Sequence, residues 1–316
     1  MPQNKLSVAF YNLENLFDTQ NDPHIFDDDF TPAGDLKWDT TRYTKKLNDQ
    51  AEIIAEIGKA ETGDSPVLLG VAEVENKKVL NDLIATEALK NRNYAFVHHN
   101  SPDERGIDTA LLFKKERFEV LESRSYALLL KTAEGLRDFT RDILYVHGKL
   151  DGIAMYILVN HWPSRGEGLA ESNPKRILAA KRNREIIEEI QAKEPEARIV
   201  IMGDFNDDPQ SVAVRDHLVS TDFYNPMIFL LTRYAGSLTH RGDWYLFDQI
   251  ILSPNWMKAY DNPLKYVKSA IFNPAYLAEA AGRFKGNPLR TYAGNTYLGG
   301  PSDHFPVYTI FKTENS

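Results

Sequence analysis

The sequence predicts an α+β sandwich with its helices on the outside, and three observations lead there. Short apolar runs rich in β-branched and aromatic residues recur along the chain, the pattern of strands. They outnumber the stretches with helical periodicity. Two of them, 143–147 and 154–160, are joined across Leu150-Asp151-Gly152, close enough for a hairpin, so the sheets are antiparallel or mixed.

In chain order the expected strands are 6–11, 67–72, 94–98, 109–113, 143–147, 154–160, 198–202, 245–252 and 305–311. A helix is expected over 44–59, where Leu47, Ala51, Ile54 and Ile57 share one face with charges opposite. A second is expected over 174–193, through Ile177, Leu178, Ala180, Ile186, Ile187 and Ile190, with Asn173-Pro174 as its start signal. No repeat and no Gly/Ser linker interrupts the chain, so one domain should cover 1–316. Residues 18–39, with Asp27-Asp28-Asp29, Pro23, Pro32 and Gly34, are long for a loop. They read as a solvated acidic surface segment or a functional one, without the spacing of a calcium-binding EF loop. Residues 273–300 should form a rim beside the last strand.

Composition excludes several functions. With 316 residues, 42% hydrophobic and 26% charged, the chain can bury a large core and is not disordered. The absence of cysteine removes disulfides, iron–sulfur clusters, thiolate zinc sites and cysteine nucleophiles. A net charge of −8 repels long polyanions and argues against sequence-independent binding of duplex DNA. No run reaches the ~18 apolar residues of a transmembrane helix. Residues 1–4 pass almost at once into a strand pattern. The expected compartment is therefore cytoplasmic if Met1 is the native start, and secreted or periplasmic if a leader was removed.

The chemistry gathers at strand ends. Val8 to Tyr11 runs into Asn12, Leu68 to Ala72 into Glu73, Val159-Asn160 into His161, and Ile199 to Gly203 into Asp204 and Asn206. Ser302-Asp303-His304 announces the last strand. Any one such polar residue is more often a turn former. Five together look like a site, and their oxygen-rich mixture suits a hard cation such as Mg²⁺ or Mn²⁺.

Asn12 in FYNLENLFD, Glu73 in GVAEVEN, His161 in VNHWPSR, the GDFND element at 203–207, Asp248 in FDQIILS and the SDH element at 302–304 occur in an order that resembles the endonuclease/exonuclease/phosphatase family, whose members are similar to deoxyribonuclease I. The resemblance spans residues 6–311. It implies a four-layer α/β/β/α sandwich, two mixed β-sheets packed face to face with helices outside, and metal-dependent phosphoester hydrolysis. It also implies roles. Glu73 is the principal metal ligand, with Asn12 and Asp303 adjoining it directly or through water. Asp204 and Asn206 orient the attacking water and hold a phosphate oxygen, Asp248 pairs with His304, and His161 is the second histidine. The assignment of acid and base among His161, Asp204 and His304 stays open, as does a part for Asp108 in buttressing His161.

Two arginines are candidates for the substrate phosphate. Arg105 precedes a strand and Arg165 follows His161-Trp162-Pro163-Ser164; for each the alternative is a salt bridge, for Arg165 with Glu167 or Glu171. Trp162, Trp244, Tyr292 and Tyr297 are pocket or core residues. A histidine at 161, where abasic-site endonucleases of the family carry tyrosine, disfavours DNA repair. The expected substrate is a small phosphodiester or phosphomonoester, such as a small molecule or a lipid headgroup, handled by a monomer. A nuclease for short or single-stranded nucleic acid and a catalytically silent binding module are the alternatives.

Overall fold

The structure, a computed structural model, describes residues 5–132, 134–166, 168–257 and 263–313. Eleven strands form two sheets: β1 (Lys5–Leu16), β2 (Leu68–Val74), β3 (Tyr94–His98), β4 (Asp108–Lys114), β5 (Phe118–Tyr126), β6 (Ile143–Leu150), β7 (Ile153–His161), β8 (Ile199–Asp204), β9 (Asp248–Leu252), β10 (Leu264–Ile271) and β11 (Val307–Thr313). The first sheet has the order β10-β11-β1-β2-β4-β3 and the second β9-β8-β7-β6-β5. Each contains one parallel pair, β1 with β2 and β7 with β8, among antiparallel neighbours.

The alternation along each strand explains the layers. Val8 and Phe10 of β1, with Val200 and Met202 of β8, enter the core between the sheets. Ala9, Tyr11 and Leu13 of β1 face outward onto α1 (Thr40–Glu56) and α3 (Lys77–Ile84); a short α2 (Lys59–Thr62) lies between these helices in sequence. Ile199 and Ile201 of β8 face outward onto α4 (Leu169–Lys193), which contributes Ala179, Ala180, Ile186, Ile187 and Ile190. Strands buried on both faces read as continuous apolar runs, which is why they stood out in the sequence.

Helix boundaries differ from the periodicity. Asp39 caps α1, its side chain accepting from Arg42 N, so the helix starts at Thr40 and ends at Glu56. The last helix begins at Leu169, five residues before Pro174, which lies inside it and forfeits one backbone hydrogen bond. The run 245–252 splits, because Leu246 N donates to Asp208 Oδ1 and Phe247 O accepts from Phe205 N, leaving β9 to begin at Asp248. The hairpin between β6 and β7 closes as expected on Asp151 and Gly152, both at positive φ.

The segment 18–39 is more than a solvated acidic loop. Asp27 is buried and accepts from Asp22 N. Trp38 is fully buried, donates to Phe17 O and packs beside Phe30 and Tyr292. Residues 273–300 connect β10 to the approach to β11 and are tied to β1 and α1, Thr291 N donating to Glu14 Oε2 and Lys45 to Gly299 O. Residues 1–4 and Glu167 lie outside the described residues. No helix among the described residues is long and apolar enough to cross a membrane.

Candidate active site

The topology delivers the polar strand ends to one edge. β1 and β2 are parallel, as are β7 and β8, so Glu73, His161 and Asp204 at the C-terminal ends of their strands share an edge with Asn12, which lies where β1 breaks its register with β2. β9 and β11 run antiparallel to β8 and β1, which brings Asp248 and Asp303-His304 to the same edge from their N-terminal sides.

The backbone distorts where the side chains are needed. The β1–β2 register breaks between Asn12 and Leu16, and Glu14, Asn15 and Glu73 all take left-handed conformations, at φ 44, 55 and 62. Such conformations cost of order 1–3 kcal/mol each in a non-glycine residue and collect at functional sites. The distortion turns Asn15 N toward Glu73, whose Oε2 accepts from it at 2.9 Å. At the end of β8, Gly203 is required by space, since a Cβ there would lie 2.3 Å from Asn160 O.

Asn12 sits between two carboxylates, its Nδ2 3.0 Å from Asp204 Oδ2 and 3.4 Å from Glu73 Oε1, while its Oδ1 accepts from Glu14 N at 2.9 Å. It thus turns donors inward and fixes the spacing of Glu73 and Asp204. Asp204 Oδ1 accepts from Asn206 N at 2.8 Å, and Asn206 Nδ2 donates to Trp162 O at 2.9 Å. His161 Nε2 lies 3.7 Å from Glu73 Oε1 and 3.8 Å from Asp204 Oδ2. His304 Nδ1 meets Asp248 Oδ2 at 2.7 Å, the pairing expected from the sequence, and its Nε2 lies 3.9 Å from Asp204 Oδ2 and 3.8 Å from Asp303 Oδ1.

Burial and neighbouring charges separate the protonation states. Burial alone disfavours a charged His304, but the charge and hydrogen bond of Asp248, supported by Asp204 and Asp303, hold the ring well above its ordinary value. His161 goes the other way: burial, together with Arg141, Arg105 and His304, keeps it neutral. Burial also pushes the Asp204 carboxyl up to about 6, with His304 pulling against it and Asp248 adding to it.

The two candidate arginines have different settings. Arg105 donates to Asn15 Oδ1 and stands 3.8 Å from Glu73 Oε2, with its side chain 47% exposed. Arg165 donates to Asn206 O at 2.9 Å and Asp207 Oδ1 at 2.6 Å, and lies over Phe247. Its ion-pair partners are therefore Asp207 and, at 3.6 Å, Asp208, not Glu171. Asp108 does not buttress His161; it accepts from His98 at 3.0 Å and Ser101 N at 2.9 Å, because the start of β4 faces the end of β3. Trp162 is core, edge-on to Phe205; Trp244 packs on Phe305, and Tyr292 and Tyr297 on each other.

Several supporting residues carry no motif. The buried Lys46 of α1 donates to Glu14 O and Thr291 Oγ1, and Gln50 to Leu13 O and Pro301 O, so one helix ties the distorted end of β1 to the approach to β11. Asn160 Oδ1 accepts from Trp162 Nε1 and Asn183 Nδ2, fixing the end of β7 on α4. Arg176 and Arg165 both pair with Asp207. The one available signal was a polar residue inside an apolar pattern, as at Lys46, Gln50 and Asn160.

Two carboxylates of this cluster keep oxygens open to solvent. Glu73 has one short hydrogen bond for two oxygens and is 14% exposed, and Asp303 is 30% exposed. Asp204, Asp248 and His304 also offer ligand atoms within 4.8 Å of one another, but the short His304–Asp248 bond already occupies that pair. Glu73 and Asp303, on strands that flank β1 on its two sides, are the more exposed carboxylates of the cluster.

The fold is shared with solved structures of low sequence identity. A Bacteroides thetaiotaomicron protein of the endonuclease/exonuclease/phosphatase family is 18% identical with TM-score 0.61, covering 99% of each chain. A humanized D. rerio TDP2 is 15% identical with TM-score 0.58, over 98% of this chain and 100% of that one. A B. thetaiotaomicron mannosyl-6-phosphatase is 17% identical with TM-score 0.59, over 97% and 99%. No curated protein matches the sequence. Residues 7–313 match the sequence profile of the endonuclease/exonuclease/phosphatase family, and the chain belongs to that family.

Proposed function

We propose that this chain is a metal-dependent phosphoester hydrolase for a small phosphodiester or phosphomonoester. The observation that carries the reading is the meeting at one edge of the His304–Asp248 pair at 2.7 Å, His161 and Asp204 at 3.8 Å, and the exposed carboxylates of Glu73 and Asp303, with burial and neighbouring charge pushing the protonation of His304, His161 and Asp204 apart. Groups whose environments push their protonation apart divide acid from base. Family membership and neighbours named as a phosphatase and as TDP2 support the class.

Glu73 and Asp303 would hold the cation, with Asn12 acting through its grip on Glu73. When bound, the cation offsets charge on the phosphoryl oxygens. Asp204, raised to about 6 and fixed by Asn12 and Asn206 N, orients the attacking water and takes its proton. The remaining N–H of Asn206 faces a phosphate oxygen. His304 presents a proton at Nε2 to the phosphoryl group, its Nδ1 being held by Asp248. Neutral His161, its Nε2 3.7 Å from Glu73 and 3.8 Å from Asp204, offers the substrate a hydrogen-bonding group between them. Arg105 captures the substrate at the rim.

The acidic charge argues for small substrates over long duplex DNA. A screen over nucleic acids, phosphoinositides, sphingomyelin, sugar phosphates and bis(p-nitrophenyl) phosphate, with Mg²⁺, Mn²⁺ and EDTA arms, should show metal-dependent turnover of a small ester. Efficient nicking of plasmid DNA with a steep salt dependence would overturn the small-substrate reading. Turnover untouched by EDTA would overturn the metal.

A further inference from the structure

β11 and β2 flank β1 on opposite sides; Arg105 stands by Glu73 at the end of β2, and a second arginine, Arg290, stands by Asp303 ahead of β11. Arg290 follows Leu289 in the segment that leads to Thr291, and Thr291 is pinned from behind by Glu14 and Lys46. Its backbone is fixed as well, the carbonyl accepting from Gly300 N at 3.1 Å. The side chain is 43% exposed, and its acceptor among the described residues is Asp303 Oδ2, at 3.3 Å. That is longer than the 2.7–2.9 Å of a strong charge-assisted bond, and it engages one of five N–H donors.

A half-exposed pair of this length contributes little to stability, so the ion pair does not account for holding a guanidinium here. The surroundings suggest what does. Asp303 Oδ1 is 3.8 Å from His304 Nε2, which is 3.9 Å from Asp204 Oδ2; Arg290 is thus the far end of a continuous polar row that begins at the site's centre. On the other side, Arg105 is 3.8 Å from Glu73 Oε2 and similarly exposed at 47%. Each arginine stands against one of the two carboxylates best placed to hold a cation. Each keeps donors free, and each is carried on a braced loop. The Arg105 loop is held by Asp103, which accepts from Arg141 at 3.1 Å, and by Asp108, which accepts from Ser101 N.

We propose that Arg290 is a phosphate-binding residue of this site, and that with Arg105 on the opposite rim it favours a terminal phosphomonoester over a phosphodiester. The chemistry follows from the number of non-bridging oxygens. A monoester near neutral pH is close to a dianion with three terminal oxygens, enough for a cation and an arginine on each side. A diester carries one charge and two such oxygens, and its second substituent must pass one of the two guanidinium groups. A planar fork suits this task better than an ammonium. The inference rests on the hydrolase reading for its substrate class, while the anion site itself stands independently.

The test separates the two. Binding of inorganic phosphate is measured by titration calorimetry, with and without Mg²⁺, for the wild type, Arg290→Ala and Arg290→Lys. Kinetics are measured with p-nitrophenyl phosphate and bis(p-nitrophenyl) phosphate. Arg290→Ala should weaken phosphate about tenfold and raise KM for the monoester by a similar factor, while changing the diester less than twofold; Arg290→Lys should recover part of the loss. Phosphate affinity equal in the wild type and Arg290→Ala overturns the site. Equal effects on the two esters overturn the monoester preference. A wild type that binds phosphate through Arg290 yet hydrolyses neither ester leaves the anion site standing and removes the hydrolase reading. A loss of Mg²⁺ affinity in Arg290→Ala that accounts for the whole effect, absent in Arg290→Lys, reduces Arg290 to a partner of Asp303 and overturns the proposal.

Discussion

The two sides of the site are built on opposite principles. On one, Asp204, Asp248, His161 and His304 have side chains at most 8% exposed, and their protonation is set by burial and by each other. On the other, Glu73, Asp303, Arg105 and Arg290 are 14–47% exposed and make long, loose ion pairs. Enclosure makes an electrostatic interaction strong and a protonation state definite, whereas partial exposure leaves lone pairs and N–H groups for something that arrives from solution. On the reading proposed above, the buried side moves protons and the open side holds a cation and an anion. Left-handed backbone occurs on both sides, at Glu14, Asn15 and Glu73 and at Asn206 beside Asp204, and α1 braces the end of β1 through Lys46 and Gln50.

This contrast can be broken by experiment, and the buried side should give the largest effects. Asp204→Asn keeps shape and hydrogen-bonding size but cannot take a proton; kcat should fall roughly 1000-fold or more, within the range for a lost general base. A fall under tenfold would remove Asp204 from the chemistry. His304→Ala and His161→Ala should each lower kcat at least ~100-fold in the same assay. If only one does, the two histidines are not parts of one device.

On the open side, Glu73→Gln should leave the fold intact and raise the Mg²⁺ concentration for half-maximal activity by about 10–100-fold, with activity partly restored by excess metal. A metal titration of turnover decides it, and an unchanged midpoint would move the cation elsewhere. Asp248→Asn then probes the link within the buried side. Removing the carboxylate removes the attraction that holds a proton on His304, so the ring's pKa falls. The alkaline limb of kcat/KM against pH should therefore move to lower pH, where the free enzyme loses that proton. An unmoved limb would show that His304 does not act protonated. The smallest effect is expected at Arg165, already engaged by Asp207, Asn206 O and the face of Phe247. Arg165→Ala should cost about 1–2 kcal/mol in denaturant unfolding and change KM only a few-fold.

Much of this site was legible because strand ends announce themselves. An Asn, Glu, His or Asp terminating a doubly buried apolar run breaks a strong pattern, and Asn12, Glu73, His161 and Asp204 were found on that signal. Lys46, Gln50 and Arg290 were not. Lys46 and Gln50 sit in an otherwise ordinary amphipathic helix, where a polar residue facing inward looks like noise until its partners at Glu14, Leu13 and Pro301 are seen. Arg290 lies in a Gly- and Pro-rich stretch with no periodicity to violate. Asp108 misled in the same way: its proximity to the site is real, but the pairing of β3 with β4 gives it to His98.

The sequence by itself determined an α+β sandwich with helices outside and the chemistry's raw materials, because apolar strand runs and the polar residues that end them are local properties that survive without coordinates; the four layers were what the family resemblance implied. Only the tertiary structure decided how these groups are charged and which of them meet. Protonation of His304, neutrality of His161 and the lift of Asp204 come from burial and largely from partners distant in sequence, Asp248 lying 56 residues from His304 and Asn12 192 residues from Asp204. Such fields fall off with distance in space and are indifferent to distance along the chain. They exist only once β1 and β2 of one sheet and β7 and β8 of the other end at the same edge.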